Sequence, residues 1–242
     1  MKFKSLFLKE LKQEKAWFIY ILPGFVILEL LFLLFYKHYL WQCFALSTIF
    51  IVVIFFAVIF SASHSLVNEW KLHTSQFLFS LPVRGWHILL AKFAVHSIVF
   101  IIFSFIAFFT VYLIAKGQWG ESVWIKSTDV VKLWLIYLCI GIPSMCIEIF
   151  PRITSNCFLR FRKLVASFTA IVLFIGFFRY FLPLGWKVFS FLPEASFNVS
   201  IPGTEIQSSV SGDFFPGLAT WILFAVLVFV GDCLLLEKCE QG

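Results

Sequence analysis

Long apolar runs separated by short polar segments dominate this chain of 242 residues. A helix that crosses a bilayer needs about 20 predominantly apolar residues, and the chain contains six runs of that kind, at about 17–36, 39–67, 93–115, 133–150, 164–182 and 218–236. Transmembrane strands would instead be about ten residues long with alternating polarity. The pattern therefore predicts an all-α membrane protein, with residues 1–242 forming one transmembrane domain.

The first fifteen residues have a different pattern, in which apolar and charged positions alternate with a helical period. Phe3, Leu6, Phe7 and Leu11 fall on one face, and lysines crowd the rest. Such a helix can lie in the membrane interface before the first span. We predict an interfacial amphipathic helix over residues 1–15; the alternative is a basic flank that only sets the topology.

Two connections are longer or more structured than a simple turn. The segment 69–92 carries an amphipathic stretch that ends at Pro82, after which the pattern predicts that a helix resumes at Trp86. We expect a short helix that presents an apolar side to a docking partner, or else a loop that packs on the protein's own helices. The connection 183–217 is rich in Pro and Gly, and loops of this length usually have a function or some structure of their own.

Charge placement sets the orientation. The chain is 61% hydrophobic and only 13% charged, with a formal net charge of +6. Thirteen of its 19 lysines and arginines lie in the N-terminus, the 2–3 and 4–5 connections and the C-terminus, and six lie in the other connections. Because positive residues favour the cytoplasmic side, both termini are predicted to be cytoplasmic, and 183–217 extracellular. The basic residues lack the interleaved aromatics of a nucleic-acid surface, so no nucleic-acid partner is expected, whereas anionic membrane lipid is.

Residues that could carry chemistry are scattered. The phosphate-binding loop, zinc-protease and serine-hydrolase motifs are missing from the sequence, and the six cysteines form no C-x-x-C pair. We therefore assign no catalytic residue, no metal site and no disulfide framework. Glu29 lies deep in the first span and marks a possible intramembrane polar site. Glu148, Arg179 and Asp232 are expected near the interfaces, where they can reach water or a basic neighbour, and Glu148 is expected to pair with Arg152 four residues later.

The segment 69–92 resembles the first cytoplasmic loop of type-2 ATP-binding-cassette (ABC) exporter permeases. That family often shows an acidic residue after its second span, then a run similar to "thesLlslPvsr", and then "llgK" at the start of its third span. The residues that match are Glu69, Lys71, Ser75–Leu78, Ser80–Val83, Arg84, Leu89, Leu90 and Lys92. The segment Lys71–Thr74 departs from the pattern, because many relatives have a basic residue followed by Gly and Thr there.

The resemblance implies a permease subunit with no nucleotide site of its own and therefore no enzymatic activity. ATP and magnesium would bind to a separate cytoplasmic ABC ATPase, and a second permease, identical or related, would complete a dimer in the bacterial plasma membrane. The segment 69–92 would contain the coupling helix, and Phe3, Phe7 and Leu11 of the interfacial helix would brace it. The residues implied in ATPase docking are Glu69, Lys71, Thr74, Phe77, Leu78, Leu81, Pro82 and Arg84.

The cargo and two rival functions remain open at this point. The 34 phenylalanines suit export or expulsion of a hydrophobic or amphiphilic peptide or lipid-like substrate, although phenylalanine also packs between helices and faces lipid. One rival is a membrane-embedded enzyme, such as an intramembrane protease or a lipid-modifying transferase. The other is an ion-coupled carrier. Both rivals need clustered polar residues within the membrane, and the sequence places such residues singly.

Overall fold

A computed structural model describes residues 3–71, 85–119, 127–157, 161–192, 195–200, 207–212 and 214–241. Within these ranges, six helices are long and apolar enough to cross a membrane. The prediction of a multi-pass helical membrane protein with six spans is confirmed.

The chain contains eight α-helices within the described residues. The amphipathic segment at the start forms α1, and the six spans follow from it. The bounds are α1 Phe3–Gln13, α2 Leu22–Phe35, α3 Leu40–Lys71, α4 Gly85–Trp119, α5 Ser127–Cys157, α6 Arg162–Gly176, α7 Leu182–Val188 and α8 Phe214–Gln241. The fifth span consists of α6 and α7 together and runs from Lys163 to Val188, beyond the 182 expected from hydropathy.

Two proline-containing spans each widen into a single π-helical turn just before the proline. The turns are Trp17–Ile21 before Pro23 and Phe177–Phe181 before Pro183. In each, the N–H that follows the turn reaches a carbonyl five residues back, from Leu22 to Trp17 and from Leu182 to Phe177. Proline has no N–H to donate, and a local π adjustment in a membrane helix helps to satisfy the backbone groups that this leaves. Pro23 is thus accompanied by a widened turn.

The core lies around α4, the most buried of the six spans. Its Phe100 is fully buried and stacks on Tyr137 of α5, with ring centroids 4.9 Å apart. The ring of Phe100 also lies directly on Gly141, where a Cβ would overlap it. Glycine at this position lets α5 approach α4 closely, since it has no side chain to displace the ring.

Aromatic polar groups bind the helices to one another inside the apolar region. The Tyr137 hydroxyl donates to the Ile51 carbonyl at 2.7 Å, and Trp134 Nε1 donates to Ser104 Oγ at 3.0 Å. Trp221 Nε1 donates to the Ile140 carbonyl at 3.2 Å. Such bonds between helices satisfy groups that lipid cannot. They join α5 to α3, α4 and α8.

The connection before the last span contains two short strands, β1 Ala195–Ser200 and β2 Gln207–Gly212. They pair antiparallel, with Phe197 opposite Val210. Some structure of its own was expected in this connection because of its length. The hairpin is a small addition to a fold whose membrane part is helical.

Candidate functional site

The first element of the site is α1, whose buried face carries an acid. Leu6 and Glu10 are one helical turn apart and are the two fully buried side chains of this helix. Leu6 packs with Ile88 and Ala91 in the first turns of α4. This packing places the Glu10 carboxylate against α4 at the end of the bundle where α3 ends and α4 begins, which we name the basal end.

At the basal end, Lys92 of α4 is buried and makes three polar contacts. Its Nζ lies 2.7 Å from Glu10 Oε2 of α1, 3.1 Å from Glu69 Oε1 of α3 and 3.2 Å from Ser65 Oγ. The side chain is 2% exposed. The contacts with Glu10 and Ser65 are hydrogen bonds, and the contact with Glu69 is an ion pair. One lysine therefore joins α1, α3 and α4.

A second polar layer lies one helical turn further into the bundle. His96 Nε2 is 3.4 Å from Ser61 Oγ of α3 and 3.8 Å from Glu14 Oε1, just after α1. Each residue of this second layer lies four positions from a residue of the first layer in the same segment: Glu14 from Glu10, Ser61 from Ser65 and His96 from Lys92. We name the two layers together the polar seam, which consists of Glu10, Glu14, Ser61, Ser65, Glu69, Lys92 and His96.

The charges of the first layer balance. Lys9 Nζ lies at the partly exposed rim, 3.6 Å from both Glu10 Oε1 and Glu69 Oε1. Two ammonium groups thus meet two carboxylates, with Lys92 inside and Lys9 outside. A buried ion pair adds little stability relative to an apolar replacement, but removal of one partner leaves an uncompensated charge and is strongly destabilising. The seam therefore specifies how α1 sits on α3 and α4.

Two of the eight predicted docking residues are among those that the structure describes. Glu69 is buried within the seam, and Lys71 is the last residue of α3. The other six, Thr74, Phe77, Leu78, Leu81, Pro82 and Arg84, lie outside the described residues. The helices on either side of segment 72–84 are thus held together through Lys92.

The predicted bracing residues of α1 lie beside its buried face. Phe3 is partly exposed and stacks on Phe7, with ring centroids 6.5 Å apart. Phe7 and Leu11 are half-buried. Leu6 and Glu10 on the buried face contact α4, and the bracing role of Phe3, Phe7 and Leu11 stays a prediction.

Glu29 is buried where α2, α3 and α4 meet. Ser47 Oγ donates to its Oε2 at 3.0 Å, and Thr110 is a second hydroxyl near the carboxylate. Phe25, one turn earlier on α2, packs on Phe50 and Phe103. Hydroxyl groups of α3 and α4 thus provide the polar partners that a carboxylate within a span requires. Their contacts with Glu29 join α2 to α3 and α4.

Two further acids show opposite outcomes. Glu148 pairs with Arg152 as predicted, at 3.3 Å. The expectation that Asp232 can reach water or a basic neighbour is wrong, because its side chain is fully buried between α8 and α5, close to Cys146. Among the described residues, neither of its carboxylate oxygens has a hydrogen-bond partner. Helix packing, which a hydropathy profile does not contain, is the reason for this burial.

The Ser61–His96 contact brings together two residues that the sequence leaves 35 positions apart. His96 Nδ1 lies 3.2 Å from the Lys92 carbonyl and donates to it, so Nε2 accepts from Ser61. A hydrolytic serine also needs donors for an oxyanion. Ser61 lies within α3, where backbone N–H groups bond inside the helix. The arrangement holds two helices together, and the described α3 backbone around Ser61 offers no free N–H to an oxyanion.

The sequence did contain one signal for the seam that the amphipathic pattern obscured. Glu10 follows Leu6 by four residues, so it falls on the apolar face of α1 instead of the charged one. An acid on an apolar face calls for a buried cation. Its partner Lys92 is 82 residues away and is easily interpreted as a lysine that sets topology.

Comparison with known proteins provides no identity for the chain. No protein-family model matches it, and no match is found among the curated proteins or among the solved structures.

Proposed function

We propose that the chain is the transmembrane permease subunit of an ABC transporter. In this proposal it exports or expels a hydrophobic or amphiphilic substrate, a peptide or a lipid-like molecule, with energy from ATP hydrolysed by a separate cytoplasmic ATPase. Both termini and the basal end face the cytoplasm of a bacterial cell, and a second permease, identical or related, completes the membrane unit.

The observation that carries the proposal is the polar seam. A soluble motor moves a membrane domain only through an element stiff enough to transmit force and a packing that has two arrangements. The Lys92 contacts connect α1 to the ends of both helices that flank segment 72–84. A push on that segment would reach α1, α3 and α4 together, and α4 lies at the centre of the bundle.

Features of the rest of the chain are compatible with this role. The fifth span is the least buried of the six, and apolar side chains such as Phe168 and Phe174 are exposed on it. In a permease dimer, these faces would contact lipid or the second subunit. The sequence contains no phosphate-binding loop, so in this proposal the nucleotide binds to the partner.

The test is co-purification in detergent with the ABC ATPase encoded beside this chain. The docking variant carries Leu81→Asp with Arg84→Glu. A matched control carries Val123→Asp with Lys126→Glu, which has the same spacing and the same charge change in the connection between α4 and α5. We expect the wild type and the control to retain the ATPase and the docking variant to lose most of it, because a charged side chain would replace an apolar docking contact.

Two outcomes contradict the proposal: a wild-type chain that retains no ATPase, and a docking variant that retains as much as the control. Two variants then separate the rivals. Glu29→Gln would disable an ion-coupled carrier, because it removes the titratable group that Ser47 holds. Ser61→Ala would disable an embedded enzyme that uses the contact with His96.

A further inference from the structure

A cavity of about 460 Å³ opens between the last turns of α3 and α5 and shares one residue, Ser61, with the polar seam. Its lining residues are Phe60, Ser61, Ser63, His64, Val67 and Arg152. Arginine is always charged, and the cavity lies beside apolar helix surface. A space that combines a fixed cation with apolar walls suits the charged group of an amphiphile.

The two basic side chains of the cavity are held in place by neighbours on their own helices. Asn68 Nδ2 lies 3.1 Å from His64 Nδ1. The amide N–H donates, so Nδ1 accepts and the proton of the neutral imidazole is on Nε2, which makes that nitrogen a donor. Arg152 Nη2 donates to Glu148 Oε1 at 3.3 Å. The Glu148 carboxylate thus orients the guanidinium, which has five N–H donors.

The hydroxyl groups of the cavity direct their protons elsewhere. Ser63 Oγ donates to the Phe60 carbonyl at 3.0 Å. Ser61 Oγ donates to His96 Nε2, because the other imidazole nitrogen, Nδ1, donates to the backbone carbonyl of Lys92. Their oxygens can still accept hydrogen bonds. Arg152 and His64 are therefore the side chains of the lining that donate to an anion, and the serines can accept from hydroxyls of a headgroup.

An apolar stripe on α3 leads to this cavity. Val53, Phe56 and Phe60 are each about half exposed, and they precede the exposed His64 at spacings of three, four and four residues. Residues at these spacings lie on one face of a helix. The rings of Phe56 and Phe60 are stacked with centroids 6.3 Å apart. The stripe thus extends from the middle of the span to the cationic cavity.

We propose that this cavity binds the phosphate of an anionic phospholipid, with Arg152 and His64 as donors and an acyl chain along Val53, Phe56 and Phe60. Charge-assisted hydrogen bonds to phosphate are among the strongest that side chains make. The stripe supplies the apolar contact that a free phosphate would not use. The inference does not rest on the proposed function, because the site requires no ATPase and no second permease.

The experiment is native mass spectrometry of the delipidated full-length chain in detergent, titrated with dioleoyl phosphatidylglycerol, with dioleoyl phosphatidylcholine or with sn-glycerol 1-phosphate. We expect phosphatidylglycerol to bind roughly tenfold tighter than phosphatidylcholine, whose choline already neutralises the phosphate. Glycerol phosphate should not displace phosphatidylglycerol at equal concentration, because it has no acyl chain to occupy the stripe.

The variants are Arg152→Gln and His64→Phe, with Arg179→Gln as the matched control. Arg179 lies on the fifth span, with its guanidinium over the Tyr180 ring instead of in the cavity. Arg152→Gln should weaken phosphatidylglycerol binding roughly tenfold and His64→Phe roughly threefold, while the control stays within about twofold. The two cavity variants remove different donors, so either loss, measured on a monodisperse protein, supports the site.

Three results overturn the inference. The first is equal weakening by Arg179→Gln, which would make the effect one of general surface charge. The second is unchanged binding in both cavity variants. The third is displacement of the lipid by glycerol phosphate at equal concentration, which would make the occupant a soluble phosphate compound. Co-purification of the ATPase with the Arg152→Gln chain is a separate measurement, and its result bears on the proposed function and not on the lipid site.

Discussion

At the basal end, the carboxylates of Glu10 and Glu69 share one buried lysine, whereas in α8 the equally buried Asp232 has no hydrogen-bond partner among the described residues. The carboxylates of the two sites are therefore alike in burial and differ in their polar partners. A paired cluster fixes one arrangement of three helices, because every other arrangement leaves a charge unpaired in an apolar surrounding. An unpaired carboxylate specifies no such arrangement and only adds a desolvation penalty.

The largest effect is expected from Lys92→Met, which keeps the length of the side chain and removes its charge. Glu10 and Glu69 would then stay buried without the ammonium group. We expect the free energy of unfolding to fall by about 3–5 kcal/mol. The measurement is denaturation by SDS in mixed micelles, followed by tryptophan fluorescence.

The matched control for Lys92→Met is Lys116→Met, at the exposed far end of the same helix. It should change the free energy of unfolding by no more than about 0.5 kcal/mol. Equal effects of the two variants would mean that the seam contributes nothing specific to the packing of α1.

An effect of opposite sign is expected at Asp232. Replacement by Leu keeps the branching of the side chain and removes two buried oxygens that have no hydrogen-bond partner within the described part of the chain. The free energy of unfolding should rise by about 1–2 kcal/mol. The same denaturation measurement applies, with Asp232→Asn as the control, because the amide is as polar as the acid and should give no gain. A loss of stability in the Leu variant would show that the carboxylate has a partner outside the described residues.

The smallest effect is expected from Lys9→Met at the rim of the seam. Its Nζ lies 3.6 Å from both carboxylates but is partly exposed. Exposed pairs contribute about 0.2–1 kcal/mol and are weakened by salt. We expect a loss in that range at low ionic strength, compared with no change in Lys12→Met on the exposed face of α1. A loss as large as that of Lys92→Met would mean that the rim and the interior of the seam are equivalent.

The spans could be predicted from the sequence because the signal for them is local. About 20 apolar residues in a row identify a span whatever it packs against. The pairing of Glu148 with Arg152 is likewise local, since the two residues are one helical turn apart. These features depend on neighbours within the same helix, and one sequence is enough to show them.

The polar contacts between helices, in the seam and at Glu29, could not be predicted because they depend on which helices meet. Glu29 and Ser47 are 18 residues apart, Ser61 and His96 are 35 apart, and Glu10 and Lys92 are 82 apart. Hydropathy places each of these side chains along its helix but gives no partner across the bundle. The same limit explains the error at Asp232, whose surroundings come from α5 and from the neighbouring turn of α8.

The π-helical turn Trp17–Ile21 has a consequence for sequence change in this chain. A π turn takes about one residue more than an α turn to complete the same full rotation, so it accommodates an extra residue without turning the helix on either side. Deletion of one residue from this turn would let it close to an α-helical turn and would leave Glu10 facing Lys92. Deletion of one residue from the α-helical part of α2 would instead rotate the amino-terminal segment by about 100°, so this span should tolerate a change of length at its widened turn and not in the regular helix that follows.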